Sequence, residues 1–447
     1  MKPRPPLVLL LLACFPPVLS AQVQRRPASA PPNAPAGWSF RQVAPDGAWC
    51  WFGDPRAVYH AGVHRRTYVG WVTAAGDICV GALDHDTGKI ETATLCEKLD
   101  ADDHANPAIL VRPDGRLMVF HTAHSHASVP MRVSISTNPE DISAWRPAVE
   151  IRANTPGNRG FCYPNPVQLS AENNRIYLFW RGGNWKPNYA TSDDGFHWSP
   201  PRTLIEGRGR QADNRPYCKF ATNGRDRFDV AFTTGHPRNE PHNSIYYAAC
   251  REGTLFRADG TRVQTLSDGP LSFEDADLVY DGAARGARAW IWDIAIDPQG
   301  RPVLVYAVLP AESRHLYHYA RWDGQRWIDH EICTAGGWFP QTPVGRRERE
   351  PHYSGGVILD HENPSVVYLS RPHGGTFEIE RWTTRDGGAT WRSEQITDNS
   401  RANNVRPFVA RFHPPTEPGL FWMRGQYVHY TNFHTAIMMG TRTHGSK

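Results

Sequence analysis

Six times along this chain an Xaa-Pro pair opens a run of β-forming residues that turns and returns as a second such run. The pairs are Asp54-Pro55, Asn106-Pro107, Asn165-Pro166, Arg215-Pro216, Glu350-Pro351 and Arg406-Pro407. Their prolines recur roughly every 50 to 60 residues, apart from one gap of about twice that length, which is the spacing of a repeat architecture. That gap holds a further hairpin candidate, Trp290-Ile291-Trp292-Asp293-Ile294-Ala295, turning at Asp297-Pro298-Gln299-Gly300 into Pro302-Val303-Leu304-Val305-Tyr306. Proline suits the first residue of a strand because no ladder hydrogen bond is lost there. Seven copies of a strand-rich unit of this size predict an all-β fold, a seven-bladed β-propeller, over residues 38–440.

Turn motifs agree. Thr384-Arg385-Asp386-Gly387-Gly388-Ala389-Thr390-Trp391 fits the Asp-box pattern S/T-x-D-x-G-x-T-W, and Thr191-Ser192-Asp193-Asp194-Gly195-Phe196-His197-Trp198 fits it with one change. Trp322-Asp323-Gly324 with Trp327 reads as a decayed copy. In such turns the Asp accepts backbone N–H bonds, Gly takes the unusual φ, and Trp packs beneath. The boxes point to a propeller of the sialidase-like kind and carry no catalytic information.

Residues 1–21 have the form of a secretory signal peptide: Lys2 and Arg4, an apolar run from Leu7 to Ala13, then Leu19-Ser20-Ala21 before Gln22. The apolar run is too short to span a bilayer. The expectation is a secreted or periplasmic protein with no membrane span; Leu11-Leu12-Ala13-Cys14 also fits a bacterial lipobox, so anchoring through Cys14 is the alternative. Residues 22–37 read as a Pro/Ala-rich linker. The formal net charge is +4, and half of it belongs to Lys2 and Arg4, so nothing calls for a nucleic-acid partner. A monomer is expected. Seven scattered cysteines follow the leader without a CxxC spacing, which argues against a cysteine zinc site and leaves any disulfide pairing open.

The hairpins act as rulers. Folding the second unit about Asp114 sets His104 opposite His124, and directly opposed antiparallel positions have Cβ atoms about 5 Å apart. Folding the third about Ala171-Glu172-Asn173-Asn174 sets Tyr163 opposite Arg181 or Gly182. Folding the fourth about Asn223-Gly224-Arg225-Asp226 brings Arg215 near His236, with Tyr217 one step inside. Three adjacent blades would then present these groups at one mouth of the central channel. Each has a plainer reading: His104 could cap a turn, His121 or His126 could replace His124, and Arg181 could pair with Asp193 or Asp194. Together they suit β-elimination from a uronic acid, where the carboxylate must be neutralised and a His or Tyr must move protons. A glycosidase would want two carboxylates across the scissile bond, and Asp102, Asp103, Asp293 and Glu350 are the only ones placed near this rim.

The segments Trp51-Phe52-Gly53-Asp54-Pro55-Arg56-Ala57, Asp102-Asp103-His104-Ala105-Asn106-Pro107, Val119-Phe120-His121-Thr122-Ala123-His124, Tyr163-Pro164-Asn165-Pro166, Leu178-Phe179-Trp180-Arg181-Gly182-Gly183-Asn184-Trp185 and Arg215-Pro216-Tyr217 resemble the secreted BNR repeat-containing propellers. That family includes ulvan lyases and rhamnosyl-glucuronate lyases and rhamnosidases. The resemblance implies that His104 and Tyr163 act as base and acid, that His124 and Arg181 bind and neutralise the uronate, and that Tyr217 joins the site. Arg215 and His236 are expected to bind substrate. No cofactor is required by this chemistry; a structural calcium in the channel occurs in parts of the family, though no acidic cluster here demands one. The expected partner is a polysaccharide or oligosaccharide bearing uronic acid. Two alternatives stand beside the lyase: a rhamnosidase-like exo-glycosidase, and a non-catalytic carbohydrate-binding propeller. A sialidase is disfavoured because Asp54-Pro55-Arg56 stands where its Phe/Tyr-Arg-Ile-Pro motif would be.

Overall fold

The computed structural model describes Met1 and residues 34–124, 126–337, 354–415 and 418–442. The signal-like segment with Cys14, nearly all of the Pro/Ala-rich linker and the Glu350-Pro351 pair lie outside the described residues.

Short β-branched and aromatic runs separated by Gly, Asn and Asp turns fold into seven antiparallel sheets, which form the seven blades of a propeller. The inner strands, in chain order, are Ala57–Ala61, Ala108–Val111, Cys162–Leu169, Cys218–Thr222, Arg288–Ile296, Val357–Leu359 and Asn403–Val409. Five Xaa-Pro pairs fall within the described residues, each in or just before one of these inner strands. The seventh blade closes the ring by taking Trp38–Ala44 as its outermost strand, beside Asn432–Arg442. Pairing runs from Trp38 opposite Arg442 to Ala44 opposite Ile437. Six of the blades have four strands, and the fourth departs from this: its sheet has six, because the strands Thr254–Phe256, Arg262–Thr265 and Asp277–Tyr280 extend it.

A short aromatic segment fills the channel. Trp49, Cys50, Trp51 and Phe52 are all buried and reach five blades. Cys50 N–H donates to Asp103 O, Trp49 Nε1 to Arg406 O, Trp51 Nε1 to Ile291 O, and Asn165 Nδ2 to Phe52 O. The buried Lys219 ammonium donates to Trp51 O and to the Asp54 carboxylate. Trp51 stacks on Trp292 at 4.0 Å between centroids. Burying several large aromatic rings there contributes on the order of 2–3 kcal/mol each, and it divides the channel into two separate mouths.

The boxes behave as turns, with one change of register. Thr384 and Thr390 both donate hydroxyl bonds to Asp386, and Thr390 N–H adds another. In the earlier copy the equivalent pair is Ser192 and Asp194, one residue on from the expected Thr191 and Asp193; Asp193 instead pairs with Arg175. Trp391 meets Tyr319 edge-on at 5.2 Å, tying one blade to the next.

Candidate active site

All seven side chains singled out from sequence line one cavity of about 340 Å³ at the end of the channel where the inner strands begin: His104, His124, Tyr163, Arg181, Arg215, Tyr217 and His236. A larger cavity of about 670 Å³ occupies the opposite mouth, lined by the far ends of the inner strands, and holds none of them.

The second blade supplies the histidine pair. Ala108 faces Phe120 and Val111 faces Leu117; the ladder ends there, and His104, in the 3-10 turn Asp103–Ala105 just before it, meets His124 beyond the returning strand. Their rings stack at 4.2 Å with an 8° interplanar angle. Asp102 holds them there. His104 Nδ1–H donates to Asp102 Oδ1 at 2.6 Å, and His124 Nδ1–H donates to Asp102 Oδ2 at 2.7 Å. Asp103 Oδ1 lies 2.9 Å from the same His104 nitrogen, while the other Asp103 oxygen takes Arg406 and Tyr427. Among the described residues His104 Nε2 makes no hydrogen bond. His121 is instead buried in the blade on Ser134, and His126 is well exposed, so neither replaces His124.

The two imidazoles differ in charge. Burial works against protonating His104, but Cys50, Asp102 and Asp103 outweigh it and hold the group well above its ordinary value. Burial, the adjacent His104 charge and Arg181 together push His124 down to about 4, against its bonds to Asp102. Arg181 Nη2 donates to His124 Nε2 at 3.1 Å, which requires that nitrogen to be an acceptor. At neutral pH the pair therefore carries one positive charge, on His104.

Tyr163 and Arg181 come from the third blade, but not directly opposed as expected. Arg181 faces Cys162, and a bulge between Cys162 and Asn165 displaces Tyr163, whose φ is +59°. A bulge of this kind re-aims a side chain at a barrel rim. It places the Tyr163 ring 5.5 Å from His104, with the Arg181 guanidinium 4.7 Å above it. The Tyr163 hydroxyl makes no hydrogen bond among the described residues. Burial raises it well above its ordinary value, Arg181 pulling the other way, so the phenol keeps its proton. Arg181 does not pair with Asp193 or Asp194; Nη1 donates to Tyr217 Oη at 2.8 Å. In the fourth blade Tyr217 and His236 pack with Trp290, at 5.2 and 4.3 Å.

Glu350 lies outside the described residues; of the other carboxylates weighed from sequence, only Asp102 lines the cavity. Asp103 sits behind it, and Asp293 binds Arg411 and His361 deeper in the channel. Sequence reasoning missed Asp102 as the clamp on both histidines, Tyr430, whose ring meets His104 edge-on at 4.9 Å, and Trp185. The last carried a signal: it lies four residues beyond Arg181 across Gly182-Gly183, a tight turn.

Cation sites were tested on the donor set. Calcium takes six to eight oxygen ligands. Asp102, His104 and His124 come within 4.8 Å of one another, as do Cys50, Asp103 and His104, but these sets are rich in nitrogen or sulfur and do not suit calcium. Both Nδ1 atoms are spent on Asp102, so the cluster is a hydrogen-bonded pair. At the channel axis the Lys219 ammonium already bridges oxygen ligands.

The BNR repeat-containing family model matches residues 66–335. The chain belongs to the BNR repeat-containing family. No curated protein matches it. Among solved structures, an ulvan lyase described as a new family of polysaccharide lyase superposes with a TM-score of 0.66 at 16% identity, over 89% of this chain and 94% of that one. The same enzyme bound to -[GlcA(1-4)Rha3S]- gives 0.66 at 15% identity, over 90% and 94%. The polysaccharide lyase Uly1 gives 0.57 at 12% identity, over 96% and 95%. At such identity the likeness establishes the fold, and activity must be argued from the site.

Proposed function

We propose that this protein is a secreted polysaccharide lyase that cleaves a glycan next to a uronic acid by β-elimination. One observation carries the reading: a single carboxylate, Asp102, holds two stacked imidazoles against Tyr163 and Arg181 in one cavity. The likeness to an ulvan lyase bound to a glucuronate-containing fragment supports it.

In this reading Arg181 receives the uronate carboxylate and spreads the charge that builds on it as C5 is deprotonated, while His124, whose Nε2 accepts from Arg181, aims the guanidinium. His104, in its deprotonated form, takes the C5 proton through Nε2. The C–H electron pair becomes the C4=C5 double bond, the C4–O4 bond breaks, and Tyr163 protonates the departing oxygen. Atoms and charge balance with no redox partner. A tyrosine held well above its ordinary value is a proton donor at rest, as an acid must be. A raised His104 makes the base form scarce at neutral pH and below, so the rate should climb toward alkaline pH. Arg215, Tyr217 and His236 line the flanking sugar positions. The step needs no metal, so EDTA should leave the rate unchanged.

The test is to incubate the mature chain with ulvan, gum arabic and other uronate-bearing glycans, following ultraviolet absorbance of the unsaturated uronate and new reducing ends together. Absorbance that rises with the wild type and is lost in Tyr163→Phe and His104→Ala is expected. Reducing ends without absorbance would replace the lyase by a hydrolase. Binding with neither signal would leave a lectin-like propeller.

A further inference from the structure

One uronate carboxylate needs one arginine, yet the cavity has more. Three guanidinium groups surround the half-buried indole of Trp185: the Cζ atoms of Arg215, Arg159 and Arg181 lie 4.2, 4.4 and 4.9 Å from its ring centroid. Arg159 and Arg215 are exposed and form no ion pair among the described residues. Among the described residues the only carboxylate lining the cavity, Asp102, is committed to the histidines. Three like charges around one ring repel one another, and cation–π attraction offsets this only in part.

The arrangement is built into the backbone. Trp185 sits at φ +65° in a turn closed by its N–H on Gly182 O at 2.9 Å. The Arg159 loop lies directly against that turn: a Cβ on Gly157 would stand 1.8 Å from Gly183 O. Lys186, next in the turn, is buried and donates to Ala212 O and Asn214 O, which ties the Arg215 loop to the same place. Two loops and one turn thus converge to gather the Arg159 and Arg215 guanidinium groups on the Trp185 ring beside Arg181.

We propose that Arg159, Trp185 and Arg215 form a second anion subsite, which takes a sulfate ester or a second carboxylate on the sugar adjoining the uronate. The inference rests on the glycan-cleaving reading of this cavity and narrows its substrate to glycans with two anionic groups on neighbouring sugars. Guanidinium forks match both anions bidentately, while the indole beneath them holds the arginines together by cation–π contact.

The test is calorimetric binding on a Tyr163→Phe background, which slows turnover, with three probes: a sulfated ulvan oligosaccharide, the same oligosaccharide after desulfation, and an oligogalacturonate carrying a carboxylate on every sugar. The Arg159→Ala/Arg215→Ala pair should weaken one or both doubly anionic probes about 10- to 100-fold and reduce the salt dependence of binding, while the desulfated probe changes less than about twofold. Loss on the sulfated probe assigns a sulfate; loss on the oligogalacturonate assigns a carboxylate. Arg159→Lys/Arg215→Lys keeps the charge and should fall between, which separates lost recognition from lost folding. Equal weakening of all three probes, or none, overturns the subsite. Its failure is distinct from that of the lyase reading: absorbance from wild type with unselective variants removes the subsite alone, and selective binding without absorbance removes the lyase alone.

Discussion

Asp102→Asn should move the acid limb of the pH–rate profile. In the proposed elimination His104 must be deprotonated to accept the C5 proton, so activity is lost as pH falls through the His104 titration, and a raised value puts that loss at higher pH. Asp102 Oδ1 lies 2.6 Å from His104 Nδ1, with Asp103 Oδ1 at 2.9 Å on the same nitrogen. An opposite charge this near moves a titrating group by about 1–3 pH units. Asp103 remains in the variant, with its charge shared by Arg406, so a displacement toward lower pH of about 1 to 2 units is expected. Each unit corresponds to about 1.4 kcal/mol. The amide also provides one acceptor oxygen where two imidazole N–H groups need one each, so the plateau rate should fall as well, by no more than about 10²-fold. The assay is kcat/KM from unsaturated-product absorbance across pH, with the His104 ring proton followed by NMR in the free enzyme. An acid limb that stays in place while the plateau drops would refute the electrostatic role and leave Asp102 as a spacer.

Tyr163→Phe should lower kcat by about 10²–10⁴ with melting temperature unchanged, because it removes the proton donor and no hydrogen bond; a variant with normal turnover would sink the acid assignment. Arg406→Ala takes from the buried Asp103 carboxylate its arginine partner, leaving Tyr427 and His104, and removes donors to Trp49 O and Tyr427; chemical denaturation should show a loss of about 3–5 kcal/mol, and under 1 kcal/mol would contradict the burial argument. Asp386→Ala should lower the melting temperature and leave kcat/KM alone, since that box faces solvent far from the cavity. Asp386 is held down to about 2 by its bonds to Thr390 and Thr384, so its contribution is present at neutral pH, shrinks as pH falls toward 2, and the two melting curves should converge there.

How much of this could be read from sequence follows from the range of each interaction. Within a hairpin the turn fixes the register, and side chains alternate with period two; His104 and His124 could therefore be paired from the position of Asp114 alone. The repeat of Xaa-Pro hairpins likewise determined seven blades, because each blade is a local meander. Tyr163 shows where that logic stops. A bulge adds a residue to one strand without a mark in composition, so Arg181 faces Cys162 and the tyrosine is turned toward the pocket by the fold. Contacts between blades were less legible still. The Trp49–Phe52 segment fills the channel because seven blades leave a central space that must be packed, and no spacing along the chain encodes which five blades it will touch. Lys219, lying under Trp51, and Tyr430, arriving from the last blade beside His104, reach their places only when Trp38–Ala44 closes the ring. The sequence by itself determined the repeating unit and the chemical groups each hairpin carries to its rim. Ring closure decided that the groups from four blades share one cavity, since the angle between blades is set by side chains packing across their faces, at a range no local pattern spans.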